Sequence, residues 1–129
     1  MSGKCLLDTN IVIAIFSGDE AVMKELAKIR EIFVPSVVLG ELYYGAQKSA
    51  HRKKNTTIID QFASVNTVLP SDAETARQYG KIKESLRAKG RPIPENDIWI
   101  AAIAFQHQLS LVTRDQHFHE IKGLAIKTW

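Results

Sequence analysis

The chain has 129 residues, 45% of them hydrophobic, and seventeen Lys and Arg against fourteen Asp and Glu give it a net charge of +3. That size fits one globular domain burying about two-thirds of its unfolded surface, and the mild basic balance permits a nucleic-acid partner without requiring one. One cysteine, Cys5, excludes an intrachain disulfide framework, and no run approaches the roughly 18 apolar residues of a membrane span. Asp8 arrives too early for a secretory leader, so the expected location is the cytoplasm.

Residues 4–7 form an apolar run ending at Asp8, the pattern of a buried strand. Thr9 and Asn10 are candidate caps for a short helix over IVIAIF, which Ser17, Gly18 and Asp19 break. In EAVMKELAKIREI, Val22, Leu26 and Ile29 share one helical face. Ile32 to Val34 predict a second strand closed by Pro35. Ser36 is a candidate cap for a helix through about Lys48, carrying Val38, Leu42 and Tyr43 with Glu41 among them. Residues 51–65 predict another helix, basic at its start, and Thr67 to Leu69 a third strand stopped by Pro70. Ser71 with Glu74 makes a capping-box pattern for a long helix to about Lys89, with Gly90 as its stop.

RPIPEN is a Pro-punctuated loop. It leads into a helix from Asp97 to about Gln108 that is apolar on nearly all sides and therefore central. Leu109 to Thr113 predict a fourth strand, DQHFHEI a short turn or helix, and Leu124 to Thr128 a last strand. Strands alternating with helices imply a three-layer α/β/α sandwich with a mostly parallel central sheet, residues 1–129 forming one domain.

Four acids stand at comparable places in that pattern. Asp8 and Asp115 each follow a strand, Asp97 opens a helix after a loop, and Glu41 projects from a helix that follows a strand. Ligands of such sheets bind beyond the carboxyl ends of the strands. Carboxylates gathered there resist ionising together, and a hard divalent cation such as Mg²⁺ or Mn²⁺ removes the conflict. Asn10, Asn96 and Thr113 flank three of the acids and are candidates to hold them in place. Taken one at a time, each acid also reads as a helix cap. Glu41 resists that reading, because a lone charge among Val, Leu, Gly and Tyr is costly to bury. His117 and His119 are candidate ligands, though a surface role is the stronger reading for both.

Four blocks carry a resemblance: LLDTN at 6–10, Gly40–Glu41, END at 95–97 followed by IWIAA, and LVTRD at 111–115. With GRPIPEND and the ending TRDQHFHEIKGLAIKTW, they resemble the PIN-domain nucleases, and more closely the VapC toxins of prokaryotic toxin–antitoxin pairs. The resemblance runs from Leu6 to Trp129. It implies a metal-dependent endoribonuclease with Asp8, Glu41, Asp97 and Asp115 as its acids and Thr113 as the small polar residue beside them. It also implies an RNA substrate, a VapB-type antitoxin that covers the site, and a homodimer. Under it, Asp8 and Asp97 are the main metal ligands, Asp115 completes the site, and Glu41 binds a second metal or orients water.

Two basic groups offer phosphate contacts: Lys48, Arg52, Lys53 and Lys54, and then Arg87, Lys89 and Arg91 before the Asp97 helix. Arg114 is a third candidate, and Tyr43, Tyr44 and Trp99 are candidates for base stacking or for packing. Competing readings are a phosphoacceptor receiver domain, a nuclease-like fold kept only for binding, and a nuclease of DNA or flap structures. Asp8 lacks the adjacent second acid of a receiver, and Arg114–Asp115 stands where its lysine belongs.

Overall fold

Strand β1 (Lys4–Leu7) lies at the centre of the molecule, because Cys5, Leu6 and Leu7 are all fully buried. The structure is a computed structural model that describes residues 3–129. Four further strands join β1 in one sheet: β2 (Glu31–Pro35), β3 (Thr67–Leu69), β4 (Leu111–Val112) and β5 (Ile126–Lys127). The order is β3-β2-β1-β4-β5 and every pairing is parallel. Among the described residues six α-helices connect the strands: α1 (Thr9–Phe16), α2 (Glu20–Leu26), α3 (Ser36–Lys48), α4 (Arg52–Val65), α5 (Ala73–Lys89) and α6 (Glu95–His107). A parallel sheet flanked by helices is the architecture the sequence pattern implies.

The strand order locates the site. From β1 the chain steps outward to β2 and β3, then returns past β1 to β4 and β5. The direction reverses between β1 and β4, which makes that gap the topological switch point where open α/β sheets form their ligand crevice. Leu7 is level with Val112 across this gap, so Asp8 and Thr113 leave the sheet side by side.

Helix α6 is the central helix its composition predicts. Ile98 and Ile100 to Ala104 are buried in it, and it lies along α5 while also meeting α3. The alanines at 101, 102 and 104 leave room for these neighbours to approach. Cys5 sits in the same core, where burial pushes its thiol up to about 11, so it stays a small apolar residue.

Three caps differ from the sequence expectation. Asp8, not Thr9 or Asn10, caps α1 by accepting the Thr9 N–H. Asp72 with Thr75, not Ser71 with Glu74, forms the capping box of α5; Thr75 is fully buried and also reaches Gln106 of α6. Ser36 is the first residue of α3, whose cap position is held by Pro35 with no side-chain bond. The last helix begins at Glu95 after Pro94, so Asp97 lies inside its first turn, and Gly90 ends α5 in the left-handed region at φ 67° as expected. Among the described residues no helix is long and apolar enough to cross a membrane.

Candidate active site

Asp8 leaves β1 almost completely buried. Its Oδ1 accepts the Thr9 N–H at 2.8 Å, and its Oδ2 accepts the hydroxyl of Thr113 at 2.7 Å. Thr113 is itself buried and accepts the Asp115 N–H at 3.0 Å, so one hydroxyl links the chain after β1 to the chain after β4. Burial raises the Asp8 carboxyl above its ordinary range; the Thr113 and Thr9 hydrogen bonds oppose this, and the nearby Asp115 charge adds to it.

Asp97 faces the same point from the first turn of α6 and is also buried. Its pKa is pushed up to about 6, first by burial and then by the charges of Asp115 and Asp8, against the His117 contact. Asp115 caps the 3₁₀ turn Gln116–Glu120, accepting the His117 N–H at 2.9 Å. That turn brings the imidazole over the acids: His117 Nδ1 lies 3.0 Å from Asp115 Oδ1 and 3.3 Å from Asp97 Oδ2. One ligand atom from each of Asp97, Asp115 and His117 falls within 4.8 Å of the others. Oxygen donors with one imidazole suit a divalent cation, and crowded carboxylates with raised pKa are what such a cation relieves.

Glu41 approaches from α3. It is half-buried, and its Oε1 accepts the Thr9 hydroxyl at 3.0 Å. Burial raises its pKa, with the Thr9 bond opposing and the Asp8 charge adding. Glu41 therefore belongs to the same electrostatic cluster but stands behind Thr9, one contact removed from Asp8. It opens onto a groove of about 490 Å³ between α1, α3 and α4, whose walls include the exposed Ile13 and Phe16 and the ammonium-bearing Lys54.

The remaining candidates divide. Asn10 Oδ1 accepts the Arg114 N–H at 3.4 Å and so braces the turn after β4 without touching a carboxylate. Asn96 is exposed and hydrogen-bonds none of the acids. Arg114 is turned away, donating from Nε to the Trp129 carbonyl at 2.9 Å and pairing with Asp19 at 3.2 Å. Arg87 is held by Glu84 at 2.6 Å, and Lys89 donates to the Glu120 carbonyl. Arg52, Lys53 and Lys54 are exposed. Trp99 stacks on Tyr79 at 4.2 Å between ring centroids, Tyr43 packs against the core and donates its hydroxyl to Asp60, and Tyr44 is 65% exposed beneath Lys48.

Comparison with known proteins matches residues 5–124 to the PIN domain. The chain belongs to the PIN-domain family, within its VapC group. It is 36% identical to Ribonuclease VapC2 of Haemophilus influenzae, with 98% of each chain covered. It is 35% identical to the tRNA(fMet)-specific endonuclease VapC of Shigella flexneri, again over 98% of each. Among solved structures, VapBC2 from Rickettsia felis, bound to a DNA fragment from their promoter, superposes with a TM-score of 0.88 at 32% identity over 98% of both chains.

Within this PIN domain, His117 is 52% accessible, as the surface reading expects, and also meets Asp97 and Asp115, as the ligand reading would require; standing two residues after Asp115 in a short turn, it has a local signal in the sequence.

Proposed function

We propose that the chain is a metal-dependent endoribonuclease, the toxin of a VapBC-type pair, neutralised by a VapB-type antitoxin. The observation that carries this reading is the meeting of Asp8, Asp97 and Asp115 at the switch point of the sheet, in a chain that matches VapC ribonucleases over nearly its whole length. Asp97 and Asp115, with Asp8 beside them, are the residues to hold Mg²⁺ or Mn²⁺, and His117 stands within reach of the same point. Such an ion supplies, when bound, a lowered pKa for water and compensation of charge at the phosphate.

The chain's own residues set the geometry. Thr113 fixes the Asp8 carboxylate from one side and the Asp115 backbone from the other, which holds the chain ends after β1 and β4 in register with each other. Glu41, oriented by Thr9, is placed to orient the attacking water. Attack in line at phosphorus breaks the P–O3′ bond and leaves a 5′-phosphate and a 3′-hydroxyl. Lys54, with Arg52 and Lys53 on the same helix, offers positive charge toward an RNA backbone on the Glu41 side. A partner laid in the groove of Ile13 and Phe16 would cover Glu41 and Thr9, at the edge of the acid cluster, which is how an antitoxin could silence it.

The test is cleavage of total cellular RNA by purified, antitoxin-free protein with Mg²⁺, with Mn²⁺ and with chelator. Discrete cuts that need metal and disappear in Asp8→Asn and Asp97→Asn are expected. Cutting that survives chelation, or persists in both variants, refutes the assignment of these acids.

A further inference from the structure

A second cleft adjoins the acid cluster. It is an open trough of about 390 Å³ between the loop after α5 and the 3₁₀ turn, walled by Gly90, Arg91, Ile93, Gln116, His117 and Glu120. His117 is the shared wall: it lines the trough and also contacts Asp97 and Asp115. Whatever occupies the trough therefore lies next to whatever is bound at the acids.

The trough is held in shape without a ligand. Gly90 turns the chain at φ 67°, the Arg91 N–H donates to the Leu86 carbonyl at 3.0 Å, and Pro92 and Pro94 restrict the loop that follows. Across the cleft, Lys89 ties the end of α5 to the Glu120 carbonyl. The polar groups on the rim, in contrast, are underused. Arg91 and Glu120 form a loose ion pair, Nε to Oε1 at 3.9 Å, too long for a hydrogen bond, so guanidinium donors and carboxylate acceptors both remain available to a ligand laid against the pair. Gln116 is exposed and its side chain makes no hydrogen bond among the described residues.

We propose that this trough is a subsite for one unpaired guanine flanking the scissile phosphate, a reading that rests on the ribonuclease function above. The volume is in the range of small-ligand sites, and Ile93 gives the ring an apolar surface. Guanine carries two adjacent donors, N1–H and N2–H, that match the two oxygens of the Glu120 carboxylate. Its O6 and N7 are acceptors for the Arg91 fork. No other common base offers a donor pair beside an acceptor pair. The Watson–Crick edge must be free for this contact, so the base is unpaired. Arg91 thereby reads a base, where its charge alone suggested only a phosphate contact.

Two experiments test the subsite. In the first, GMP, AMP, CMP and UMP are titrated into ¹⁵N-labelled protein, which requires no cleavage. Amide signals of Gly90, Arg91, Ile93 and residues 116–120 should move with GMP at roughly tenfold lower concentration than with the others, and Glu120→Gln should abolish the difference. Equal responses to the four nucleotides, or movement elsewhere only, overturn the proposal. In the second, the ends of cut RNA are sequenced. The wild type should favour guanine at one fixed position beside the cut, and Arg91→Ala and Glu120→Gln should lower the ratio of guanine to adenine there roughly tenfold. An unchanged ratio in both variants overturns the proposal. Selective GMP binding by a protein that cuts no RNA would sink the ribonuclease reading and leave the subsite standing.

Discussion

Asp97→Asn in metal-free protein tests the electrostatics of the cluster most directly. Burial and the charges of Asp115 and Asp8 lift the Asp97 carboxyl from an ordinary 3.8 to about 6. At about 1.4 kcal/mol per pKa unit this is about 3 kcal/mol of destabilisation once the group is charged. The opposing His117 contact is already contained in that shift, but keeping the polar Asn amide buried costs part of the gain, leaving about 2 kcal/mol for the variant. The sign follows from proton binding. Between about pH 4 and 6 the native state holds the Asp97 proton and the unfolded chain does not, so this group's contribution to stability falls as pH rises through that window. Above about pH 6 the full penalty is present; below 3.8 it is absent. With chelator at pH 7.5, Asp97→Asn should therefore melt roughly 5–10 °C above wild type, and the gap should close toward pH 4. Adding Mn²⁺ should raise the wild-type melting temperature and leave the variant nearly unmoved. Thermal unfolding at several pH values decides it. A variant less stable than wild type at pH 7.5, or a gap independent of pH, would show that Asp97 is not held against its charge.

Thr113→Val should cost about 2 kcal/mol in urea unfolding, since it strips a buried hydroxyl from Asp8 and from the Asp115 N–H; Thr113→Ser should recover most of it. Ile103, fully buried in the central helix, should cost about 2–5 kcal/mol when cut to Ala, read the same way. Asp72→Ala removes the cap of α5, which should lower stability by about 1 kcal/mol; Ser71→Ala, outside the observed cap, should change little.

Much of the fold was legible because its signals are local. The apolar run of β1, the glycine that stops α5 and the all-apolar α6 each state their element within a few residues. The alternation of strands and helices then implied a parallel sheet, and in that sheet Asp8 and Asp115 had to emerge at one edge. The cap errors have one cause. Asp8 and Asp72 compete with neighbouring Thr, Asn and Ser for the same N–H groups, and backbone direction, not residue type, selects the winner.

What the sequence determined by itself is the cast: four acids, three beside an element boundary and Glu41 within a helix, and a further helix too apolar to lie anywhere but the centre. Only the tertiary structure decided their arrangement. The bond from Thr113 to Asp8 spans 105 residues and exists because Leu7 is level with Val112. Glu41 stands behind Thr9, and His117 lies between two carboxylates, for the same kind of reason. Propensity and spacing act over a few residues, whereas contact between distant acids depends on strand register and helix placement, which only the packed chain sets.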